Sequence, residues 1–241
     1  MKPLDAMSCY LTQLDDEPTR FPHPKHALDE PNGLLAIGGD LSPPRLLAAY
    51  HNGIFPWNEP HQALLWWSPD PRGVIVPSRL HVGRSLKKFL RRHSFDISIN
   101  RAFNQVIAAC AAPRPTASGT WISDEMIAAY QALHRQGHAH SIEVWQDGQL
   151  QAGLYGIAVG RLFCGESMFS RIDNGAKVAM WALCRHFECH GGALIDCQMQ
   201  NSFLATLGIE EWPRSQFLAA LATLRQQPLR EGCWQTRSIN L

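Results

Sequence analysis

The apolar positions of this chain change period along its length, and the changes mark out its elements. Between Val82 and His93, Val82, Leu86, Phe89 and Leu90 recur at helical spacing while Arg84, Lys87, Lys88, Arg91 and Arg92 fill the remaining arc, which predicts an amphipathic basic helix. A second helix is expected from Met126 to Gln136, with Ser123 as its cap, Asp124 and Glu125 in its first turn and Gly137 as its stop. The pattern then turns to strands. SIEVWQ and QLQAGLYGIAVG meet at Asp147-Gly148, a two-residue hairpin signal, and RLFCGESMFS follows Gly160 as a third strand. Asn174 opens a helix reaching about Cys189 and ended by Gly191-Gly192. ALIDCQ then makes a short strand and SFLATLG a short helix, and a last helix follows Ser215.

The stretch from Pro18 to about Asp70 reads differently. It is rich in proline and glycine and holds one helical pattern, SPPRLLAAY, with Ser42 as cap and Pro43 or Pro44 in the first turn. The rest reads as turns that cannot build a regular sheet. The expected fold is α+β: residues 1–70 form a small irregular N-terminal domain, and residues 71–241 form a larger domain with one mixed sheet. Strand meander, helix, strand, helix is the order of an acyltransferase of the GNAT type. There is no internal repeat and no low-complexity tract.

Composition narrows the classes. With 45% hydrophobic and 18% charged residues in 241, the chain can bury a core without a metal or disulfide framework. A net charge of +1 excludes a globally basic nucleic-acid binder, but seven Lys and Arg and no acid lie between Asp70 and Asp96, a one-signed stretch suited to phosphates. Seven cysteines without regular spacing imply reduced thiols in the cytoplasm. Asp5, Asp15, Asp16 and Glu17 interrupt any signal-peptide core, and runs such as FLAALATL fall far short of the ~18 residues that span a bilayer. In CRHFECH, His186 and His190 are four apart, but the H-E-x-x-H order is absent and Cys184 and Cys189 point elsewhere. The expectation there is no metal, with buried thiols and surface histidines.

Candidate chemistry gathers on two predicted strands. Asp196 and Gln198 are two apart, which puts both on one strand face. Glu166 alternates with Leu162, Cys164, Met168 and Ser170, placing a carboxylate in an apolar lining where it can bind an ammonium. Met168 and Ile195 are placed to touch an apolar substrate side chain. The bland alternatives are that Asp196 caps a turn with Gln198 bonded to it, and that Glu166 pairs with Arg171. Tyr50, Trp57 and Trp121 are candidates to stack on a nucleobase, whereas Trp66 and Trp67 read as packing between domains. There is no P-loop glycine pattern.

The segments NGLLAIGGDLSPPRLLAAYHNGIFPW, LWWSPDPRGV, SGTWIS, GHAHSIEVW, FCGESMFSR and GGALIDCQMQN cover nearly the whole chain. In content and order they resemble the leucyl/phenylalanyl-tRNA–protein transferases. The resemblance implies a GNAT-like C-terminal domain, no metal, no cofactor, and transfer of Leu, Phe or sometimes Met from Leu-tRNA or Phe-tRNA to proteins beginning with Arg or Lys, which marks them for N-degron proteolysis. It implies that Asp196 orients or polarises Gln198 and that this pair accepts or relays the proton of the attacking amine, while Glu166 completes the catalytic set by binding an ammonium, either of the aminoacyl ester or of the basic acceptor. It further implies that Met168, Ile195, Leu154, Phe163 and Ser170 form the amino-acid pocket and that Trp57, Trp121 and Tyr50 hold the terminal adenine. Arg84, Lys87, Lys88 and Arg91 would then meet phosphates, and the protein would be a cytoplasmic monomer. Two departures, Leu183 where some relatives carry an aromatic and Leu154 where a methionine can occur, imply a different ratio of Leu to Phe. One rival is an acetyl-CoA-dependent GNAT enzyme, whose R/Q-x-x-G-x-G/A signature is degraded in RIDNGA because Asn174 takes the first glycine. A non-catalytic tRNA-binding module is the other.

Overall fold

The structure is a computed structural model that describes residues 11–59, 62–113 and 121–239. Cys9 and Asp5, read above for compartment, and residues 118–120 of the SGTWIS segment lie outside the described residues.

The N-terminal segment does build a sheet, contrary to the expectation of turns alone. Its strands β1 (Thr12–Leu14), β2 (Leu34–Gly38), β3 (Phe55–Pro56) and β4 (Leu65–Trp67) are ordered β1-β2-β4-β3, and α1 (Pro43–His51) joins β2 to β3. Strands of two to five residues are too short to display alternation, which is why the sequence hid them. Trp66 is wholly buried, and its indole Nε1 donates to the Gly38 carbonyl at 2.8 Å. Trp66 therefore packs as expected.

The main sheet has eight strands: β5 (Arg72–Ile75), β6 (Asp96–Ile99), β7 (Ala139–Gln146), β8 (Gln149–Val159), β9 (Leu162–Ser170), β10 (Leu194–Gln198), β11 (Glu210–Trp212) and β12 (Arg237–Ile239). Their order is β11-β5-β10-β9-β8-β7-β6-β12, and only β9 and β10 run parallel. The fold is α+β with two sheets instead of one. Around the main sheet lie α2 (Arg84–Arg92), α3 (Phe103–Ala111), α4 (Asp124–Arg135), α5 (Gly175–Cys189), α6 (Ser202–Ala205) and α7 (Arg214–Leu224). On one face, Val106 of α3, Tyr130 of α4 and Phe217 of α7 share a core with Tyr50 and Trp66. On the other, Val178, Leu183 and Phe187 of α5 pack with Ile142, Leu154 and Phe163.

Local signals were obeyed where they were strong. Asp147 and Gly148 take φ of 53° and 73°, the left-handed pair that a tight hairpin needs. Ser123 Oγ accepts from the Met126 N–H at 3.2 Å to cap α4. No local signal marks α3, whose FNQVIAACA is apolar nearly all round and whose cap position is Ala102. Its end is served from elsewhere: the buried Glu143 of β7 accepts the N–H groups of Arg101 and Ala102 at 3.3 and 3.4 Å.

One irregularity decides the site. The β8–β9 register shifts so that Tyr155 faces Ser167 but Gly156 faces Gly165, leaving Glu166 as the extra residue of a bulge. Gly156 is required there, because a Cβ would lie 2.1 Å from the Cys164 carbonyl oxygen and 2.6 Å from the Phe163 ring. We expect Gly156→Ala to destabilise the fold by roughly 1–3 kcal/mol, read as a lower thermal midpoint. An unchanged midpoint would show that the sheet does not depend on this close approach.

Candidate active site

The parallel pairing of β9 with β10 ends at Cys164–Asp196, although β9 runs on to Ser170. Beside this point lies a cavity of about 830 Å³, lined by Trp121, Leu154, Phe163 and Met168, by Met180 and Leu183 of α5, and by Glu166 and Gln198. That is toward the upper end of the ~300–1,000 Å³ usual for small-molecule sites, and the lining is mainly apolar, with Ser167, Ser170, Arg171, Gln200 and Asn201 as further polar residues.

Glu166 is 8% exposed and its two oxygens are engaged separately: Tyr130 Oη donates to Oε2 at 2.8 Å and Gln198 Nε2 donates to Oε1 at 3.1 Å. Tyr50 Oη lies 2.5 Å from Tyr130 Oη and extends the chain of hydroxyls. Burial pushes the Glu166 carboxyl up to about 7, against the opposing pull of the Tyr50 and Tyr130 hydroxyls. Near neutral pH this group exchanges a proton readily. It does not pair with Arg171, which donates to the Leu150 carbonyl at 2.9 Å and lies over the Phe169 ring.

Gln198 is held by its backbone. It has a φ of 64°, and the β10–β5 register shifts between Asp196 and Gln198. The two side chains therefore do not share a flat strand face, which corrects the expectation from spacing. Asp196 is 1% exposed and does not line the cavity. Its carboxylate accepts Nε and Nη2 of Arg72 at 2.8 and 2.7 Å, and Oδ1 also accepts the backbone N–H of Gln198 at 2.9 Å. So Asp196 touches the Gln198 backbone, not its amide, and is not placed to take a proton from a substrate.

Other predicted residues divide in the same way. Leu154, Phe163, Met168 and Ser170 line the cavity, as does Leu183. Met168, however, packs with Phe163 and Leu154 on the α5 side, while Leu162 and Cys164 belong to the opposite core, because the bulge at Glu166 advances the alternation by one residue. Ile195 is wholly buried between Phe163 and Ile75 and does not line the cavity, a correction that follows from the strand register. Tyr50 is 2% exposed and cannot stack on a base; its hydroxyl belongs to the Glu166 chain instead. Trp57 is half-buried, meets Trp67 edge-on at 5.8 Å and lies outside the lining, whereas Trp121 is part of it. Arg84, Lys87, Lys88 and Arg91 are exposed on α2, while Leu86 is its buried residue.

Sequence reasoning missed Arg72 and Tyr130. The only trace of Arg72 was an arginine opening an apolar strand in PRGVIV, and Tyr130 lay on the inner face of a helix already recognised. It also missed that Cys233 joins His186 and His190, with ligand atoms of the three within 4.8 Å of one another. His186 is buried, not on the surface, and burial lowers it to about 4 while raising Cys233 to about 12. The Arg237 guanidinium lies 3.0 Å from His190 Nε2, so a metal ion there would have to displace a cation. Among the described residues no helix is long and apolar enough to cross a membrane.

Fold and site together are an α+β architecture in which a buried carboxyl raised to about 7 borders a largely apolar cavity. Residues 74–222 match the family model described as leucyl/phenylalanyl-tRNA protein transferase, and residues 39–70 match that of its N-terminal domain. A leucyl/phenylalanyl-tRNA–protein transferase of Aeromonas hydrophila is 77% identical over 98% of this chain and 100% of its own length. One of Tolumonas auensis is 56% identical over the same shares. A solved GCN5-related N-acetyltransferase from Kribbella flavida covers 71% of this chain and 61% of its own at 14% identity and a TM-score of 0.35, too slight a likeness to carry an argument. The chain belongs to the leucyl/phenylalanyl-tRNA–protein transferase family, and it is an aminoacyltransferase.

Proposed function

We propose that the protein takes Leu or Phe, and less often Met, from aminoacyl-tRNA and joins it to the N-terminal Arg or Lys of acceptor proteins in the cytoplasm, marking them for N-degron proteolysis. The observation that carries this reading is the Glu166–Gln198 couple within an apolar cavity. Leu154, Phe163, Met168 and Leu183 seat the aminoacyl side chain, and the thioethers of Met168 and Met180 adapt to an unbranched Met. Trp121 offers the terminal adenosine a stacking surface. The division at residues 70 and 71 belongs to the same reading, since the two sheets separate there although one core spans both.

The attacking group is the acceptor's α-amine, with a free pKa near ~8. Gln198 turns Nε2 to Glu166, which leaves its Oε1 to accept an N–H of that amine. The amine nitrogen bonds to the ester carbonyl carbon, its proton passes to the Glu166 carboxylate, and the bond to the ribose 3′ oxygen breaks as that oxygen takes a proton back. Alignment supplies most of the acceleration, because the ester is already activated. Asp196 holds the Gln198 backbone in this scheme and does not handle the proton.

Incubation with labelled Leu-tRNA and a peptide beginning with Arg should add the mass of one leucine residue to the peptide, and acetyl-CoA should add nothing. Acetylation in place of leucylation would favour the rival enzyme. The basic face of α2 supports docking of phosphates, and it predicts salt sensitivity. Lys87→Ala with Lys88→Ala should lower the slope of log KM for Leu-tRNA against log salt by about 1–2. Identical slopes would remove α2 from the tRNA path.

A further inference from the structure

Arg72 is 1% exposed and lies where three elements meet. Its guanidinium makes paired bonds to Asp196 of β10 and lies 4.9 Å from the Phe55 ring of β3 and 4.6 Å from the Phe217 ring of α7. Its Nη1 is buried without a partner. A planar fork with two parallel bonds fixes the plane of a carboxylate, as a point-like ammonium cannot. The fixed Oδ1 of Asp196 in turn accepts the Gln198 N–H, and Gln198 sits at a φ of 64°, which a residue with a Cβ keeps only when its surroundings impose it.

We infer that Arg72 is a positioning residue for the transfer reaction: by fixing the Asp196 carboxylate it holds the Gln198 backbone in its left-handed turn, and so aims the Gln198 amide at Glu166. The inference rests on the proposed function and deepens it. It also links the N-terminal sheet to the chemistry, since Phe55 forms one side of the seat of Arg72.

The test is the paired variant Arg72→Met/Asp196→Leu, which removes both charges together so that neither is buried alone. Leucine transfer to an Arg-initiated peptide is followed with kcat and KM resolved, across pH. The pair should lower kcat roughly 10–100-fold while KM for Leu-tRNA stays within about twofold, because the cavity lining is untouched. Adding Gln198→Ala to the pair should cost little more, and Arg72→Lys alone should lower kcat less, with the same KM. Glu166 faces Tyr50, Tyr130 and Tyr155, Cys164, and the Arg72–Asp196 pair, whose opposed effects on it leave together. The rise in rate near neutral pH should therefore persist in the pair. Wild-type kcat in either Arg72→Lys or the folded pair would overturn the inference, as would a full additional loss from Gln198→Ala or a rate that no longer varies with pH. Should the pair not fold, Arg72→Lys decides by itself. Wild-type protein that moves no leucine fails the functional reading, not this one.

Discussion

If Glu166 takes the proton as proposed, Glu166→Gln should lower kcat by roughly 10²–10⁴-fold, the usual worth of a positioned general base, and leave KM for Leu-tRNA nearly unchanged. The shape of Gln matches the protonated carboxyl, so the pocket survives while the proton acceptor is lost. On this proposal the wild-type rate should rise as pH passes through about 7, where the Glu166 carboxyl releases its proton. The variant lacks that limb and keeps only the rise from deprotonation of the acceptor amine, near ~8. Stability moves the opposite way. In the folded protein Glu166 holds its proton up to about 7, whereas an unperturbed carboxyl lets go near 4.5, so the folded state binds the extra proton between these values. This group's contribution to stability is thus fully present below 4.5 and is lost as pH rises through about 7. Glu166→Gln is therefore more stable than wild type by roughly 1–3 kcal/mol at pH ~8 and equal to it at pH ~4. Denaturation at the two pH values checks this, and an equal gain at both would mean that burial of charge at Glu166 is not the cause.

Asp196→Ala unfolds the protein more readily, by about 3–5 kcal/mol, because it strands the Arg72 guanidinium in a core where both partners are 1% exposed. The same change frees the Gln198 backbone N–H. Activity lost in this variant is then mostly a loss of folded, correctly turned protein, so a kcat measured on Asp196→Ala alone cannot identify a base. Thermal melts of Asp196→Ala and Asp196→Asn separate the effects. Asn keeps an oxygen for one Arg72 bond and should lose roughly half as much stability. Wild-type stability in Asp196→Ala would show that the buried pair does not anchor β10.

The residues of the site were legible in different degrees, for physical reasons. Glu166 is legible as a candidate because it is the one charged residue of β9, LFCGESMFS, and stands out in any register. Met168 lines the cavity with Glu166 as its place in the strand suggests, but Leu162 and Cys164 face the opposite core, because a bulge adds one residue and inverts all that follows it, and the Gly156 that permits the bulge looks like any strand glycine. Tyr50 was recognised as an aromatic with a role, but whether its ring meets a ligand or its hydroxyl meets Tyr130 depends on α4, which is 80 residues away along the chain. The N-terminal sheet was invisible because its strands, two to five residues long, are too short for alternation to repeat often enough to be told from a turn.

Features that depend on neighbours a few residues apart are written in the chain directly: the period of the long strands β7 to β9, the hairpin at Asp147-Gly148, the cap at Ser123, the one-signed face of α2, and a set of motifs ordered as in one family. Which carboxylate borders the cavity and which is locked away was settled by long-range packing. That choice turns on Arg72, 124 residues from Asp196 along the chain, and on two register shifts that arise when strands pair. Burial and pairing act across the sheet and not along the chain. Two acids of similar appearance in the sequence thus become a buried anchor and a carboxyl poised near neutrality.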